Sequence, residues 1–203
     1  FKQLDDANKW IAARAVWLLP YMGDQGIDAC IKMLEDENSD ERVVAYRSLR
    51  RAGHNMIPHA RRMCKDKSPQ VRREIALSLR DLNAEQTKDI FIELAKRCDT
   101  TDKNSLEAIG LGAAKQESII WKAIKNELHP DSSDKWSDHF ARLTWRLWGA
   151  ASVNDLKARI TNNSLPLEKR KFALESLAFI DDKLASNTML EIASKPSQLK
   201  GQA

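Results

Sequence analysis

Two stretches decide the fold: Pro69-Gln-Val-Arg-Arg-Glu-Ile-Ala-Leu-Ser-Leu79 and Asp40-Glu-Arg-Val-Val-Ala-Tyr-Arg-Ser-Leu49. In each, apolar residues recur three and four positions apart, which is the period of an amphipathic α-helix. Ser68 before Pro69 is a capping residue followed by the proline that helices favour at their first position. For the earlier helix, Ser39 or Asp40 is the expected cap. The two stretches therefore predict two similar helices.

A shift of 30 residues superimposes these stretches and their surroundings. It places Gly23 on Gly53, Asp36 on Asp66 and Arg42 on Arg72. Helical stripes continue to residue 194, with predicted helices that include 69–82 and 135–149. One hairpin has too small an apolar face to fold alone, so neighbouring hairpins are expected to stack into a continuous core. A compact four-helix bundle would need longer helices and no such register.

The sequence therefore predicts an all-α fold. The expected architecture is a right-handed α-solenoid of about six helical hairpins, an armadillo-type superhelix. Residues 1–203 are expected to form one domain, excised from a longer chain because Phe1 starts abruptly without a secretory signal. No stretch of about 18 uncharged apolar residues occurs, so no membrane span is expected.

Composition agrees with a helical fold that has a sizeable core. The chain is 42% hydrophobic and 31% charged, and its 7 Gly and 6 Pro are too few for low-complexity linkers. Cys30, Cys64 and Cys98 form no CxxC pattern and are expected to be small buried hydrophobes. Three free thiols favour a reducing compartment.

The quoted stretches resemble a known repeat. Pro69–Leu79 has the turn residue, Val-Arg, small residue and Leu of the second half of a HEAT repeat, and Asp40–Leu49 is a looser copy. Three longer runs are similar to the HEAT segment of a bacterial family of large exported multidomain proteins. They are 71–82 continuing through 106–113, then 141–148, and 173–182. The resemblance covers about residues 40–194.

The resemblance implies a context outside this chain. Members of that family join a sorbosone-dehydrogenase-like β-propeller, HEAT repeats and a c-type cytochrome domain, sometimes with a trehalose-utilisation-like domain. It implies a periplasmic or extracellular location, whereas the free thiols favour the cytoplasm as the alternative. The parent protein would be an oxidoreductase, but the matching motifs are scaffold motifs and bring no catalytic residue. The chain also lacks the CxxCH motif of haem attachment.

No motif in the chain predicts catalysis, a cofactor or a metal. Gly110-Leu-Gly112-Ala-Ala-Lys115 follows no predicted strand, so a close helix–helix contact or a loosened helix is expected rather than a phosphate loop. The consecutive residues Ser137-Asp138-His139 cannot form a catalytic relay, whose groups must converge from different segments. His54 and His59 are five apart, and His129 and His139 are isolated, which is not metal-ligand spacing. The chain is therefore predicted to be a non-enzymatic scaffold without cofactor.

Two groups of residues are candidates for binding a partner. Residues 41–80 hold 11 basic and 3 acidic side chains, against 4 and 8 in residues 1–40. The candidate basic residues are Arg47, Arg50, Arg51, Arg61 and Arg62, which are expected to converge on an acidic protein surface. Trp136, Phe140, Trp145 and Trp148 crowd one predicted helix, mostly as core, with Trp145 or Trp148 as the candidate contact.

The expected partner is a protein, most simply a neighbouring domain of the same chain. The alternative is a nucleic acid, gripped in a basic groove as in HEAT-like DNA glycosylases. A sequence pI near 8.9 and one basic segment agree weakly with that alternative. A base-flipping enzyme also needs a catalytic carboxylate beside aromatic residues, and the sequence singles out none.

Overall fold

The computed structural model describes residues 2–128 and 132–194, and within these ranges the regular structure is entirely helical. The twelve α-helices in these ranges are α1 Lys9–Leu18, α2 Asp24–Met33, α3 Ser39–Arg51, α4 Ile57–Met63, α5 Pro69–Ser78, α6 Ala84–Arg97, α7 Lys103–Gly112, α8 Glu117–Leu128, α9 Asp138–Leu147, α10 Val153–Thr161, α11 Leu167–Ala178 and α12 Lys183–Ser194. Short 3-10 helices occupy Lys2–Asp5, Leu19–Tyr21, Ser133–Lys135 and Ala150–Ser152. The all-α prediction is confirmed.

The start of α3 differs from the expected one by a single residue. Its cap is Asn38, not Ser39 or Asp40, because the Asn38 side chain accepts a hydrogen bond from the backbone N–H of Asp40 at 2.9 Å. Asn38 has extended backbone angles, whereas Ser39 already lies in the helix. As predicted, α5 begins at Pro69.

Two helices are shorter than their apolar stripes suggest. After Ser78 the helix gives way to turns, in which the Leu79 N–H donates to the Ala76 carbonyl and the Leu82 N–H to the Leu79 carbonyl. The predicted extension of α5 to residue 82 is therefore wrong. α9 spans Asp138–Leu147 rather than 135–149, because Ser137 caps it through the backbone N–H of Phe140 at 3.1 Å. At its other end Trp148 takes a left-handed conformation with φ 31°, which ends the helix.

The chain divides into two compact units, Phe1–Ile75 and Ala76–Ala203, with the boundary inside α5. A single domain over 1–203 therefore stays a prediction. In the first unit α3 packs against both α1 and α2, and the 3-10 helix Leu19–Tyr21 packs against α2. The core between them includes Val16, Cys30, Tyr46 and Leu49, all fully buried.

In the first unit, the same side-chain hydrogen bonds recur 30 residues apart. Arg42 and Arg72 each donate two hydrogen bonds from Nη1 to backbone carbonyl oxygens six and five residues earlier. For Arg42 the acceptors are Asp36 at 2.7 Å and Glu37 at 3.0 Å. For Arg72 they are Asp66 at 2.7 Å and Lys67 at 3.1 Å. Asp36 and Asp66 each accept from the backbone N–H two residues on, at 2.8 Å. The 30-residue spacing thus repeats a complete turn, which we call the arginine-clamped turn.

The second unit is a two-layer helical stack. Helices contact their second neighbours along the chain: α7 packs on α9 and α9 on α11 in one layer, while α6 packs on α8 and α10 on α12 in the other. α10 and α11 pack on each other between the layers. The buried indole N–H of Trp121 on α8 donates to Thr144 Oγ on α9 at 3.0 Å. Such stacking of sequence neighbours is the expected α-solenoid arrangement.

Candidate functional site

Arg47 and Arg50 on α3 lie around one buried carboxylate, that of Glu74 on α5. The Nη2 and Nε atoms of Arg47 donate to Glu74 Oε2 at 2.6 and 2.8 Å, and Arg50 Nη2 lies 3.8 Å from Oε1. The hydrogen bond to Glu74 raises the pKa of the Arg47 guanidinium. Both arginine side chains remain about half exposed, so each can still reach a partner.

The remaining candidate arginines also have neighbours within the chain. Arg51 lies over the ring of Trp17, with 5.6 Å from its guanidinium carbon to the ring centroid. Arg62 forms an exposed ion pair with Glu35. Arg61 is exposed on α4. The ion pair with Glu35 thus balances part of the local basic excess inside the first unit.

The candidate arginines lie near both ends of α3, and their convergence on one surface stays a prediction. Arg62 lines a surface depression of about 410 Å³ together with Arg42 and Asp66, near the start of α3. Arg50 and Arg51 lie at the other end of α3, about 12 Å further along at 1.5 Å per residue.

Trp145 and Trp148 meet a third ring, that of Phe179 at the end of α11. Trp148 stacks on Phe179 with 6.1 Å between ring centroids, and Trp145 meets it edge-on at 6.0 Å. Phe179 is 51% exposed and Trp148 37% exposed, while Trp145 is partly covered. These three rings, the aromatic cluster, present apolar surface at the C-terminal ends of α9 and α11. The sequence does not single out Phe179, because its exposure depends on where α11 ends.

The other aromatic residues of this region belong to the core. Trp136 and Phe140 are buried and meet edge-on at 4.9 Å between centroids. Trp136 precedes α9 instead of lying on it, as the capping by Ser137 requires. Core filling was the main expectation for this group, and it holds for these two residues.

A buried arginine, Arg146, contacts one ring of the aromatic cluster. Arg146 places its guanidinium 4.8 Å from the Trp148 ring centroid and donates from Nε to Glu107 Oε2 at 2.9 Å. The room for it comes from Gly110, where a Cβ would lie 2.0 Å from Arg146 Nη1. A Cβ on Gly112 would lie 2.1 Å from the carbonyl oxygen of Ala76. The close helix contact predicted for these two glycines is confirmed.

The histidines have structural neighbours. The His54 and His59 rings are 5.6 Å apart, and burial together with His54 and Arg62 lowers the pKa of His59. His139 Nε2 lies 2.9 Å from the Ala95 carbonyl oxygen, and the ring donates a hydrogen bond to this oxygen when Nε2 carries the proton. His129 lies outside the described residues. Within those residues, no group of three or more His, Cys, Asp or Glu side chains is placed to hold a metal ion.

Ser137, Asp138 and His139 have three separate roles. Ser137 caps α9, Asp138 lies 3.4 Å from Lys169 Nζ, and His139 faces Ala95. Cys30 is fully buried and its thiol donates to the Ala45 carbonyl, and burial raises its pKa to about 11. Cys64 is also buried, as expected, whereas Cys98 is partly exposed.

Comparison with known proteins supports the repeat assignment. A family model described as HEAT repeats matches residues 27–110, which run from α2 into α7. No curated protein matches the chain. Among the described residues, no helix has the length and apolar character to cross a bilayer.

Proposed function

We propose that these HEAT repeats form a non-catalytic scaffold that binds a protein partner, with the aromatic cluster as the main contact. The observation that carries the proposal is the exposure of Phe179 and Trp148 beside each other on the helical stack. Helical repeats present extended surfaces to protein partners, and the matched family model is of that class.

The composition of the aromatic cluster fits a binding hot spot. Trp is enriched among the residues that dominate protein interfaces, and an aromatic ring buries much area at little entropic cost. Trp148 is fixed between Phe179 and the guanidinium of Arg146, so a partner would meet a preorganised ring. The left-handed backbone of Trp148 places that ring beyond the end of α9.

The partner in this proposal is a neighbouring domain of a larger exported redox protein. The support is the resemblance of residues 40–194 to the HEAT segment of such proteins. The chemistry would belong to a propeller and a cytochrome domain, and the location would be periplasmic or extracellular. The complete gene tests this context: a neighbouring CxxCH segment supports it, and a gene that encodes helical repeats alone overturns it.

Removing two rings of the aromatic cluster is expected to weaken partner binding by about 30-fold, the loss typical of a hot spot. The variant is Trp148→Ala with Phe179→Ala, because Ala leaves the left-handed backbone at 148 no more strained than Trp does. Binding of the neighbouring domain, produced separately, is measured by calorimetry. Leu190→Ala on α12, also an exposed apolar residue, is the control. Equal affinity for both variants would remove the aromatic cluster from the interface.

The arginines are proposed to contribute a smaller, salt-dependent part of the binding. Reversing Arg50, Arg51 and Arg62 to Glu should weaken the same association several-fold at low salt and much less at high salt. Each has a neighbour in the chain, so the effect stays below that of the aromatic cluster. Unchanged association at low salt would refute the role. Tight binding of the unmodified chain to random duplex DNA, lost in the variant, would favour the nucleic-acid alternative instead.

A further inference from the structure

The outer flank of α1 is apolar and uncovered. On α1, Leu18 is 62% exposed and Ile11, seven residues earlier, lies on the same side of the helix. Met22, which follows the 3-10 helix Leu19–Tyr21, is 59% exposed beside them. With Leu4 from the 3-10 helix Lys2–Asp5, they line a groove of about 410 Å³. Such a row of large apolar side chains is unusual on a free surface.

The repeat register identifies what this flank is equivalent to. A shift of 30 places Leu18 on Ser48 and Ala15 on Ala45 of α3. Both α3 residues are completely buried, and Ser48 Oγ donates to the Val16 carbonyl oxygen on α1 at 2.8 Å. The exposed flank of α1 is therefore the same side that α3 uses to stack on the helix before it.

We infer that the flank Ile11, Leu18 and Met22 is a stacking surface for a further helical hairpin of the same polypeptide. The stack would continue the α1–α3 interface: α1 keeps the sequence register of α3, with Ala15 where α3 has Ala45 and the larger, apolar Leu18 where α3 has Ser48. The occupant would present a helix with small side chains opposite Leu18, because bulky residues on both sides would keep the helices apart. This inference concerns another surface than the aromatic cluster and does not rest on it.

The test places a cysteine on the flank and measures its alkylation. Leu18→Cys is made in residues 1–203 and in the protein expressed from the complete gene, and peptide mapping follows the modification of residue 18. In residues 1–203 the thiol should react as an exposed one. In the complete protein the reaction should be at least about tenfold slower, at all protein concentrations, because the cover is intramolecular. Leu190→Cys serves as the exposed control and Cys30 as the buried one.

Each other outcome overturns the inference. Protection of residue 18 that grows with protein concentration would mean that a second copy covers the flank. Equal reactivity in both proteins would mean that no segment of the polypeptide covers it. A complete gene that encodes no further helical hairpin would exclude the proposed occupant. A Leu18→Lys variant adds an independent measurement: it should leave the melting temperature of residues 1–203 unchanged and lower that of the complete protein.

Discussion

Replacing Asp66 by Ala is expected to destabilise the first unit by about 3 kcal/mol, the cost of leaving a buried charge without its partner. The charge that would lose its partner is the Arg42 guanidinium, whose Nη2 and Nε atoms donate to the two Asp66 carboxylate oxygens at 2.7 and 2.9 Å. The Arg42 and Asp66 side chains are only 5% and 12% exposed. The variant also loses the hydrogen bond from the Ser68 N–H to Asp66. Hydrogen exchange of the α3 amides reports the loss within this unit.

The ion pair of Arg62 with Glu35 is the matched control. Its side chains are 49% and 69% exposed, so Glu35→Ala should cost less than about 1 kcal/mol. Adding Arg42→Met to Asp66→Ala should recover part of the loss, because no charge then stays buried. If Asp66→Ala costs no more than Glu35→Ala, the Arg42–Asp66 bridge has no special role in stability.

Gly112→Ala is expected to lower the stability of the second unit by about 2 kcal/mol, although Ala favours helix over Gly by about 1 kcal/mol. The new Cβ would lie 2.1 Å from the carbonyl oxygen of Ala76 and 2.8 Å from its carbon. Both atoms belong to the backbone of α5, so α7 must shift away as a whole. The melting temperature should fall by about 4–8 °C for a chain of this length.

The control for Gly112 lies on the same helix. Asn104 is exposed on α7, so Asn104→Ala should change stability by less than about 0.5 kcal/mol. Helix propensity alone would make Gly112→Ala more stable than the unmodified chain. That result would show that α7 can move away from Ala76 without loss.

The fold was predictable because the same pattern of helix and turn residues occurs twice, 30 residues apart. The 30-residue spacing that relates Asp36 and Arg42 to Asp66 and Arg72 can be found without tertiary knowledge, and the structure confirms the turn that it implies. Helix ends were less predictable. Asn38 rather than Ser39 caps α3 because several neighbouring residues can cap, and only the backbone angles select one.

The candidate site was predictable in part. Trp145 and Trp148 were named, but their partner Phe179 lies on another helix, and sequence spacing does not reveal which helix ends meet. The arginines differ in burial: Arg42 and Arg146 are buried against carboxylates, while Arg62 is exposed. For Arg42 and Arg146, burial depends on a carboxylate from another part of the chain, which composition cannot show.

The arginine-clamped turn has a consequence for how a gene of this kind can change length. The hydrogen bonds that close the turn before Arg72 lie within the seven residues from Asp66 to Arg72, so the turn is encoded locally. Duplication of a whole repeat of codons adds two helices and a closed turn together. Insertion of a single codon between Asp66 and Arg72 would rotate the clamp by about 100° around its helix and leave both carbonyls without a donor. Such genes are therefore expected to grow and shrink in units of the repeat.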